Sequence, residues 1–313
     1  MISASEKISV LTCADKVRWD SFYDRLPADL RDINYSFDYN FLFEKNGDGE
    51  IRLFVFQKDS DIYFYPFLVR SVFVNNEKTE YKDIETVYGY TGPITTSNDP
   101  QFINEADTEF CNYCASEKII TEFIRFNPLL QNQKIMERIN SITLIALRDY
   151  VSVELTESKE KIFAGFSSQN RNKIRKAEKA GVTIDYDSEC LRFKEFVSIY
   201  LENMKRLQVA KMYYFSPAFF EGLKTLAKTS GILINAIEDE SVIGSTVFLK
   251  GKTFGHYFLS SATEKGRSHA VSNLMLHHGI LWAKENGLHS IHLGGGVSAE
   301  ESDPLLVFKK NFS

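Results

Sequence analysis

The fold prediction begins with residues 253–296, which read TFGHYFLSSATEKGRSHAVSNLMLHHGILWAKENGLHSIHLGGG. A strand pattern at 253–260 leads into a polar turn with Gly266 and Arg267, and an apolar helix pattern follows at 271–286. A short strand and three glycines come next. This order predicts a bare helix start whose backbone N–H groups face an anion such as a phosphate. The alternative is an ordinary strand-to-helix connection whose charges face water.

The segment after this helix contains three glycines and a second, shorter helix. Gly294, Gly295 and Gly296 follow a strand, where glycine either turns the chain or lets another backbone or a ligand approach closely. Residues 303–312 then predict a short amphipathic helix that ends in an aromatic residue. This order of elements resembles the GNAT acyltransferase fold: a strand, a Gly/Arg turn, a helix, a strand, a glycine run and a short helix.

The first half of the sequence contains the same pattern. Two strand-like runs at 51–57 and 62–69 flank turn residues and predict a hairpin. A strand near 85–88, a helix at 102–117 and a strand at 119–126 follow in that order.

The second half repeats this arrangement, with a hairpin at 232–237 and 242–249 before the stretch quoted above. A repeated order of elements indicates duplicated units. The sequence therefore predicts an α/β (α+β) fold of two tandem GNAT-like mixed-sheet domains with flanking helices. We expect an N-terminal domain at 1–155 and a C-terminal domain at 156–313, with the donor-site motifs in the second.

Composition restricts the class of protein. Of the 313 residues, 43% are hydrophobic and 25% are charged, which is enough to bury a sizeable core and excludes disordered and fibrous proteins. The formal net charge of −5 argues against a whole surface that binds nucleic acid or anionic membrane. The sequence has no apolar run of membrane-spanning length and no secretory signal pattern, so we expect a cytoplasmic protein.

Cysteine and histidine spacing gives little sign of a metal site. Cys111 and Cys114 are spaced like metal ligands, but the first half has no second Cys or His pair, which favours two buried helix thiols. His289 and His292 lie on a predicted strand at positions that point to opposite faces. We therefore expect no metal, and no dinucleotide or P-loop motif occurs in the sequence.

The wider sequence resembles the Fem-like tandem GNAT proteins, which contain two such units. The segments that carry this resemblance are YGYTGP at 88–93, RFNPL at 125–129, NRNKIRKA at 170–177, NMKR at 203–206, YYF at 213–215, LGGG at 293–296 and FK at 308–309. Members transfer an acyl or aminoacyl group to an amine, in peptidoglycan precursors or in nucleotide-linked amino sugars. The chain is shorter than typical peptidoglycan-bridge enzymes and shows no coiled-coil arm. It looks most like the N-acyltransferases of dTDP-linked 3-amino-3,6-dideoxy sugars, which use an acyl-CoA such as 3-hydroxybutanoyl-CoA.

Basic and aromatic residues are candidates for an acceptor site. Arg171, Arg175 and Lys179 share one face of a predicted helix, where guanidinium groups can grip a diphosphate in a forked geometry. The alternative is a cationic helix face in water. The acceptor-binding candidates are Tyr88, Tyr90, Arg125, Arg171, Lys173, Arg175, Arg206 and Tyr214. The donor-binding candidates, for coenzyme A, are Gly266, Arg267, Ser272, Asn273, Gly294, Gly295, Gly296 and Lys309.

The resemblance implies direct attack of the sugar amine on the thioester carbonyl, because a thioester is already activated. The strand at 254–260 would offer backbone N–H groups to the developing oxyanion. The candidate bases are His256, His269 and Asp303, and Tyr257 is a candidate proton donor to the leaving thiolate. The alternative for each histidine is a purely structural side chain.

The sequence leaves three functions open. The leading prediction is an acyl-CoA-dependent sugar N-acyltransferase for surface polysaccharide, whose partners are acyl-CoA and a nucleotide-linked sugar and not nucleic acid or membrane. The nearest alternative is a Fem-like aminoacyl transferase that uses aminoacyl-tRNA and a peptidoglycan precursor. The third is a non-catalytic binder of nucleotide sugars. Both a monomer and a homodimer agree with the sequence.

Overall fold

The computed structural model describes residues 7–137 and 142–313. The chain forms two compact units, residues 1–145 and 146–313, each with its own six-stranded mixed sheet. We call them unit 1 and unit 2. The sequence places the boundary at 155, whereas the strand Tyr150–Glu154 pairs within the second sheet. Unit 2 therefore includes residues that the sequence assigns to the first domain.

Unit 1 has one sheet with helices packed on it. Its strands are β1 (Ile8–Leu11), β2 (Glu50–Lys58), β3 (Asp61–Val74), β4 (Glu77–Glu85), β5 (Ile94–Thr95) and β6 (Ile119–Phe123). Its helices are α1 (Lys16–Arg25), α2 (Phe37–Asn46), α3 (Pro100–Ser116) and α4 (Gln133–Met136), with a 3₁₀ turn at Ile33–Tyr35. The predicted hairpin is confirmed as β2 and β3. The strand predicted at 85–88 is wrong in position, because β4 ends at Glu85 and a loop follows.

Unit 2 has more helices around a sheet of the same size. Its strands are β7 (Tyr150–Glu154), β8 (Thr183–Asp187), β9 (Gly231–Glu238), β10 (Ser241–Lys250), β11 (Phe254–Ala262) and β12 (Ser290–Gly295). Its helices are α5 (Lys159–Gly165), α6 (Ser168–Lys179), α7 (Phe193–Leu207), α8 (Pro217–Ser230), α9 (Glu264–Ser268), α10 (Val271–Glu285) and α11 (Pro304–Lys310), with a 3₁₀ turn at Lys211–Tyr213. The sheet order is β7-β12-β11-β10-β9-β8.

The sheet of unit 2 is covered on both faces. Helix α10 packs on one face, and α7 and α8 pack on the other. Strand β10 is buried without interruption over residues 243–249, as expected of a strand with helices on both sides. A Cβ at Gly279 of α10 would lie 2.0 Å from the ring of Phe248, so glycine allows the helix to approach the sheet.

Both units share one topology. In unit 1, β2, β3 and β4 are antiparallel neighbours, and α3 leads to β6, which lies parallel to β4. In unit 2, β9, β10 and β11 are antiparallel neighbours, and α10 leads to β12, which lies parallel to β11. The predicted repeat is therefore confirmed.

Candidate active site

The parallel strands β11 and β12 separate towards their carboxyl ends. They pair only from Phe254 to His256 on β11 and from Ser290 to His292 on β12, although β11 continues to Ala262. Just beyond the two histidines, each strand has a register shift against its antiparallel neighbour. Bulges of this kind bend a strand and increase its twist. The space between the two strands beyond the histidines is here called the β11–β12 cleft.

Two buried histidines lie where the β11–β12 cleft begins. His256 and His292 are 7% and 4% exposed, and their ring centres are 5.8 Å apart. Tyr150 of β7 stacks on His292 at 5.5 Å between ring centres. Burial lowers the pKa of His292 well below its usual range, and the neighbouring His256 and Lys309 add to this effect. The structure thus places the candidate base His256 beside a neutral imidazole.

A buried lysine lies at the end of β12. Lys309 of α11 is 7% exposed, and its Nζ donates a hydrogen bond of 2.7 Å to the carbonyl oxygen of Gly295. A Cβ at Gly294, where φ is +83°, would lie 2.9 Å from this Nζ, so glycine makes room for the lysine. Burial lowers the pKa of Lys309 to about 8, against an opposing effect of Asp303. An ammonium group held in this way can stabilise negative charge that develops in a reaction.

The other two positions of the glycine run are also packed against protein atoms. A Cβ at Gly295 would lie 2.6 Å from the backbone oxygen of Asp149, and one at Gly296 would lie 2.6 Å from Asp303 Oδ1. Close approach by the protein itself therefore accounts for these glycines. Direct contact between the glycines and a donor stays a prediction.

Asp303 organises the loop after β12. Its carboxylate accepts five hydrogen bonds, from the backbone N–H groups of Val297, Ser298, Leu305 and Leu306 and from the Ser298 hydroxyl. These hydrogen bonds lower the pKa of Asp303 to about 2. A carboxylate with so low a pKa is a poor proton acceptor at neutral pH. The geometry therefore argues for a structural role and against Asp303 as the base.

The remaining catalytic candidates lie in different surroundings. His269 follows α9, and its Nε2 is 3.5 Å from Glu238 Oε1 at the end of β9, so it belongs to a polar group away from the histidine pair. Tyr257 follows His256 on β11 and points to the opposite face, where its ring packs on Phe248 at 5.6 Å. Burial raises the pKa of Tyr257 to about 12, so its hydroxyl is protonated at neutral pH.

The turn before α10 is held largely by protein contacts. A Cβ at Gly266 would lie 2.0 Å from the carbonyl oxygen of Ile243, so this glycine allows α9 to pack on β10. Asn273 is 6% exposed and donates a hydrogen bond of 2.8 Å to Asn170 of α6. Helix α10 begins without a side-chain cap, with Ser272 half-buried in its first turn. Of these candidates, only Ser272 has an accessible side chain.

Two arginines converge on one buried amide at the end of β11. Arg206 and Arg267 both donate to Asn203 Oδ1, at 3.2–3.3 Å and 3.2 Å, and Arg267 also donates to the carbonyl oxygen of Ala262 at 2.8 Å. Within residues 7–137 and 142–313, neither guanidinium pairs with a carboxylate. The structure thus joins one predicted acceptor residue and one predicted donor residue in a cationic pair that suits a phosphate.

The basic residues of α6 are only partly available. Arg171 donates to two backbone carbonyl groups at the end of α5, and Arg175 lies over the ring of Phe163 at 5.6 Å. Lys173 is exposed on the same helix, and Tyr214 is 43% exposed after the 3₁₀ turn of unit 2. Arg175 and Lys173 therefore stay accessible to a diphosphate, whereas Arg171 has a structural role.

Tyr88, Tyr90 and Arg125 belong to unit 1, where buried polar side chains hold the loop after β4. The Tyr39 hydroxyl donates to the carbonyl oxygen of Tyr88 at 2.7 Å, and the Asn34 amide donates to that of Tyr90 at 2.9 Å. The backbone N–H of Arg125 donates to a threonine hydroxyl of the same loop. The structure places these three candidates around one loop of unit 1.

Sequence reasoning missed the centre of this network. Asn132 donates to the carbonyl oxygens of Thr91 and Pro93, and Asn127 donates a hydrogen bond of 2.7 Å to the fully buried carboxylate of Asp32. A buried asparagine and a surface asparagine look the same in a single sequence. Only the turn signal of Asn127 before Pro128 hinted at an ordered loop.

The two cysteines with metal-like spacing lie on α3, where Cys111 is exposed and Cys114 is half-buried, so the prediction that both thiols are buried is wrong. Partial loss of solvent raises the pKa of Cys111 and raises that of Cys114 to about 12, so both are thiols at neutral pH. In the part of the chain that the structure describes, no three His, Cys, Asp or Glu side chains form a group that could hold a metal ion. Among the same residues, none of the helices has both the length and the apolar character needed to cross a membrane.

Residues 165–302 match the sequence model of a family described as Acetyltransferase (GNAT) domain. The match includes β11, β12 and the two helices between them, α9 and α10. This part of unit 2 is therefore similar to a GNAT acetyltransferase domain. No curated protein matches the chain.

Solved structures resemble the whole chain in fold. FemX matches with a TM-score of 0.70 and 12% identity, over 98% of this chain and 94% of FemX. A conserved protein of unknown function from Bacteroides thetaiotaomicron VPI-5482 matches with a TM-score of 0.65 and 10% identity, over 98% and 95%. The C-terminal domain of a putative lysylphosphatidylglycerol synthetase from Agrobacterium fabrum matches with a TM-score of 0.61 and 12% identity, over 96% and 89%. Identities this low establish the fold alone, and the predicted tandem GNAT-like fold is confirmed.

Proposed function

We propose that this chain is an N-acyltransferase that moves an acyl group from acyl-CoA to the amine of a nucleotide-linked, dTDP-type amino-deoxy sugar. The observation that carries the proposal is the β11–β12 cleft, with His256 at its beginning and Lys309 at the end of β12. The facing edges of these strands lie outside the sheet ladder. The amide groups of a pantetheine arm can hydrogen-bond to such an edge in the way that an added strand does.

The residues around the β11–β12 cleft suit direct transfer. The sugar amine attacks the thioester carbonyl, and backbone N–H groups of β11 together with the Lys309 ammonium stabilise the oxyanion. His256 accepts a proton from the attacking amine. The leaving thiolate takes its proton from solvent, because Tyr257 lies on the opposite face of β11 against Phe248. Asp303 fixes the loop that carries α11 and thereby positions Lys309.

Phosphate recognition is assigned to the cationic side chains of unit 2. Arg206 and Arg267 lie together at the end of β11, and Arg175 and Lys173 are accessible on α6. Guanidinium groups bind phosphate oxygens in forked pairs. These four residues are the proposed contacts for the diphosphates of the two substrates.

The test is a thermal-shift screen followed by an assay of thiol release. Acyl-CoAs and thymidine- and uridine-linked sugars should raise the melting temperature, since a ligand at about 100 times its Kd stabilises by about 2.7 kcal/mol. Thiol release from acyl-CoA should then depend on an amino-sugar nucleotide. Ligand binding without turnover across a broad panel would instead support a non-catalytic binder.

The second candidate is a Fem-like aminoacyl transferase. Its support is the fold shared with FemX and with a domain named for lysylphosphatidylglycerol synthesis, a reaction that moves an aminoacyl group. The same assay separates the two candidates. Activity that needs acyl-CoA and survives RNase excludes an aminoacyl-tRNA donor, whereas RNase-sensitive transfer would replace the sugar N-acyltransferase proposal.

A further inference from the structure

We propose that Lys309 is a self-acylation site, where the side-chain amine takes the acyl group from acyl-CoA bound in the β11–β12 cleft. The inference rests on the proposed function, because it needs a thioester in that cleft. The product is an Nζ-acyl-lysine at the end of β12. Acylation removes the ammonium charge and so switches the active site off.

The position of Lys309 sets it apart from the other lysines. It is the one buried lysine among the described residues, and its Nζ contacts Gly294 and Gly295 where β12 ends. The next residue, Lys310, is exposed and lies 3.6 Å from the carboxylate of Asp149. Two adjacent lysines of α11 thus have different surroundings, and of the two only Lys309 contacts Gly294 and Gly295 at the end of β12.

The titratable groups around Lys309 come from three elements. Asp303 caps the same helix, His292 faces the ammonium from β12, and His256 lies beside His292 on β11. Burial is the largest effect on the lysine and lowers its pKa to about 8. About half of Lys309 is then the neutral amine at pH 8, whereas an ordinary lysine is less than about 1% neutral.

The reaction balances without another reagent. Lys309 first loses a proton to solvent, and the neutral Nζ attacks the thioester carbonyl carbon. The C–N bond forms and the C–S bond breaks, with the electron pair leaving on sulfur. The second proton of the attacking nitrogen ends on the thiolate, which gives an amide and free coenzyme A thiol.

The experiment measures acylation of the full chain by acetyl-CoA in the absence of an acceptor. Peptide mapping by mass spectrometry at pH 7, 8 and 9 gives the rate at Lys309 and at Lys310. We expect Lys309 to react about tenfold faster than Lys310, with a rise centred near pH 8. Lys309→Arg should remove the modification, Lys310→Arg should retain it, and loss of transferase activity should parallel acetylation.

The same incubation in urea shows whether the fold causes the reactivity. Equal rates at Lys309 in native and unfolded protein, or equal rates at the two lysines, would overturn the proposal. Thermal shift with acetyl-CoA separates this result from failure of the proposed function. Binding and turnover with an unmodified Lys309 refute self-acylation alone, whereas no binding of acetyl-CoA refutes the donor site and self-acylation together.

Discussion

The parallel strands of the two units behave differently although their topology is the same. In unit 1, backbone hydrogen bonds continue between the two chain segments beyond β4 and β6. The N–H of Thr86 donates to Phe123 O at 3.1 Å and that of Thr91 to Arg125 O at 3.0 Å. The N–H of Asn127 donates to Thr91 O at 3.1 Å. In unit 2, pairing stops at His256 and His292, and the strands bend apart. The gap between the two parallel strands is thus closed in unit 1 and open in unit 2.

This difference locates the chemistry. A fold supplies a place for a site, and local residues decide whether the place is used. In unit 1, buried asparagines hold the loop that fills the gap, whereas in unit 2 bulges open the gap and Lys309 lies at its end. Unit 2 alone should therefore bind the acyl donor.

The largest effect should come from Lys309→Met in unit 2. Methionine keeps the length of the side chain but removes the charge that is proposed to stabilise the oxyanion. We expect the rate of transfer by the folded variant to fall about 10²–10³-fold, as for loss of an oxyanion donor. Steady-state kinetics of thiol release measures this. The control is Lys310→Met, which should keep its rate, and a Lys309→Met enzyme of normal rate would remove the lysine from the mechanism.

The next effect should come from Asn132→Ala in unit 1. The Asn132 amide group donates to Tyr35 Oη and to the carbonyl oxygens of Thr91 and Pro93. Leaving buried polar groups unpaired should cost unit 1 about 2–3 kcal/mol of its free energy of unfolding. Urea unfolding followed by Trp19 fluorescence, in a Trp282→Phe background, reports on unit 1 because these are the two tryptophans of the chain.

Two controls complete this experiment. The exposed Asn112→Ala should change the free energy of unfolding by less than about 0.5 kcal/mol. Acyl-CoA affinity of Asn132→Ala should remain that of the wild type where both units are folded. A large loss of acyl-CoA affinity would contradict the assignment of the donor to unit 2.

A pH titration should destabilise unit 2 more than unit 1, because all six histidines lie at or after residue 256. His277 packs between Phe163 and Phe166, and burial, with the neighbouring His278, lowers its pKa to about 4. Above about pH 6.5 this histidine is neutral in both states. Between about pH 6.5 and 4, only the unfolded chain binds the proton, so stability falls as the pH falls, by about 2 kcal/mol after allowance for partial exposure.

The variant His277→Phe should flatten this part of the pH profile. Trp282 fluorescence in a Trp19→Phe background follows unfolding of unit 2 across the range. The exposed His289→Gln is the matched control and should leave the slope unchanged. If His277→Phe keeps the full slope, the proton uptake belongs to other groups.

The sequence predicted the fold more fully than the site. Apolar strands such as β10, the apolar helix α10 and the repeated order of elements follow from local patterns, which a single chain contains. His256 and Lys309 were named because the motifs around them are local. The bulges of β11 and β12 depend on pairing with neighbouring strands. The Asn127–Asp32 contact joins residues 95 positions apart, so no local pattern reveals it.

The roles of Asp303 and Arg171 show the same limit. An aspartate is a residue type that suits a base, and an arginine is one that suits a phosphate ligand. The carboxylate of Asp303, however, already accepts five hydrogen bonds, and the guanidinium of Arg171 donates to two backbone carbonyl groups. Such partners come from other turns and helices. Residue type therefore predicted which side chains are polar and near the site, and not which of them are available to a substrate.

The smallest effect should come from Thr86→Val, which tests the closure of unit 1 directly. The buried Thr86 hydroxyl accepts the backbone N–H of Arg125 at 3.0 Å, between the loop after β4 and the segment after β6. Valine keeps the shape but leaves this N–H without its acceptor, which should cost about 1 kcal/mol and speed hydrogen exchange at Arg125. The exposed Thr121→Val on β6 should show neither change. Because one lost hydrogen bond leaves the other hydrogen bonds of this loop in place, unit 1 should still bind no acyl-CoA. If the Thr86→Val variant binds a second acyl-CoA, closure of the gap alone, and not the residues of unit 2, determines where the donor binds.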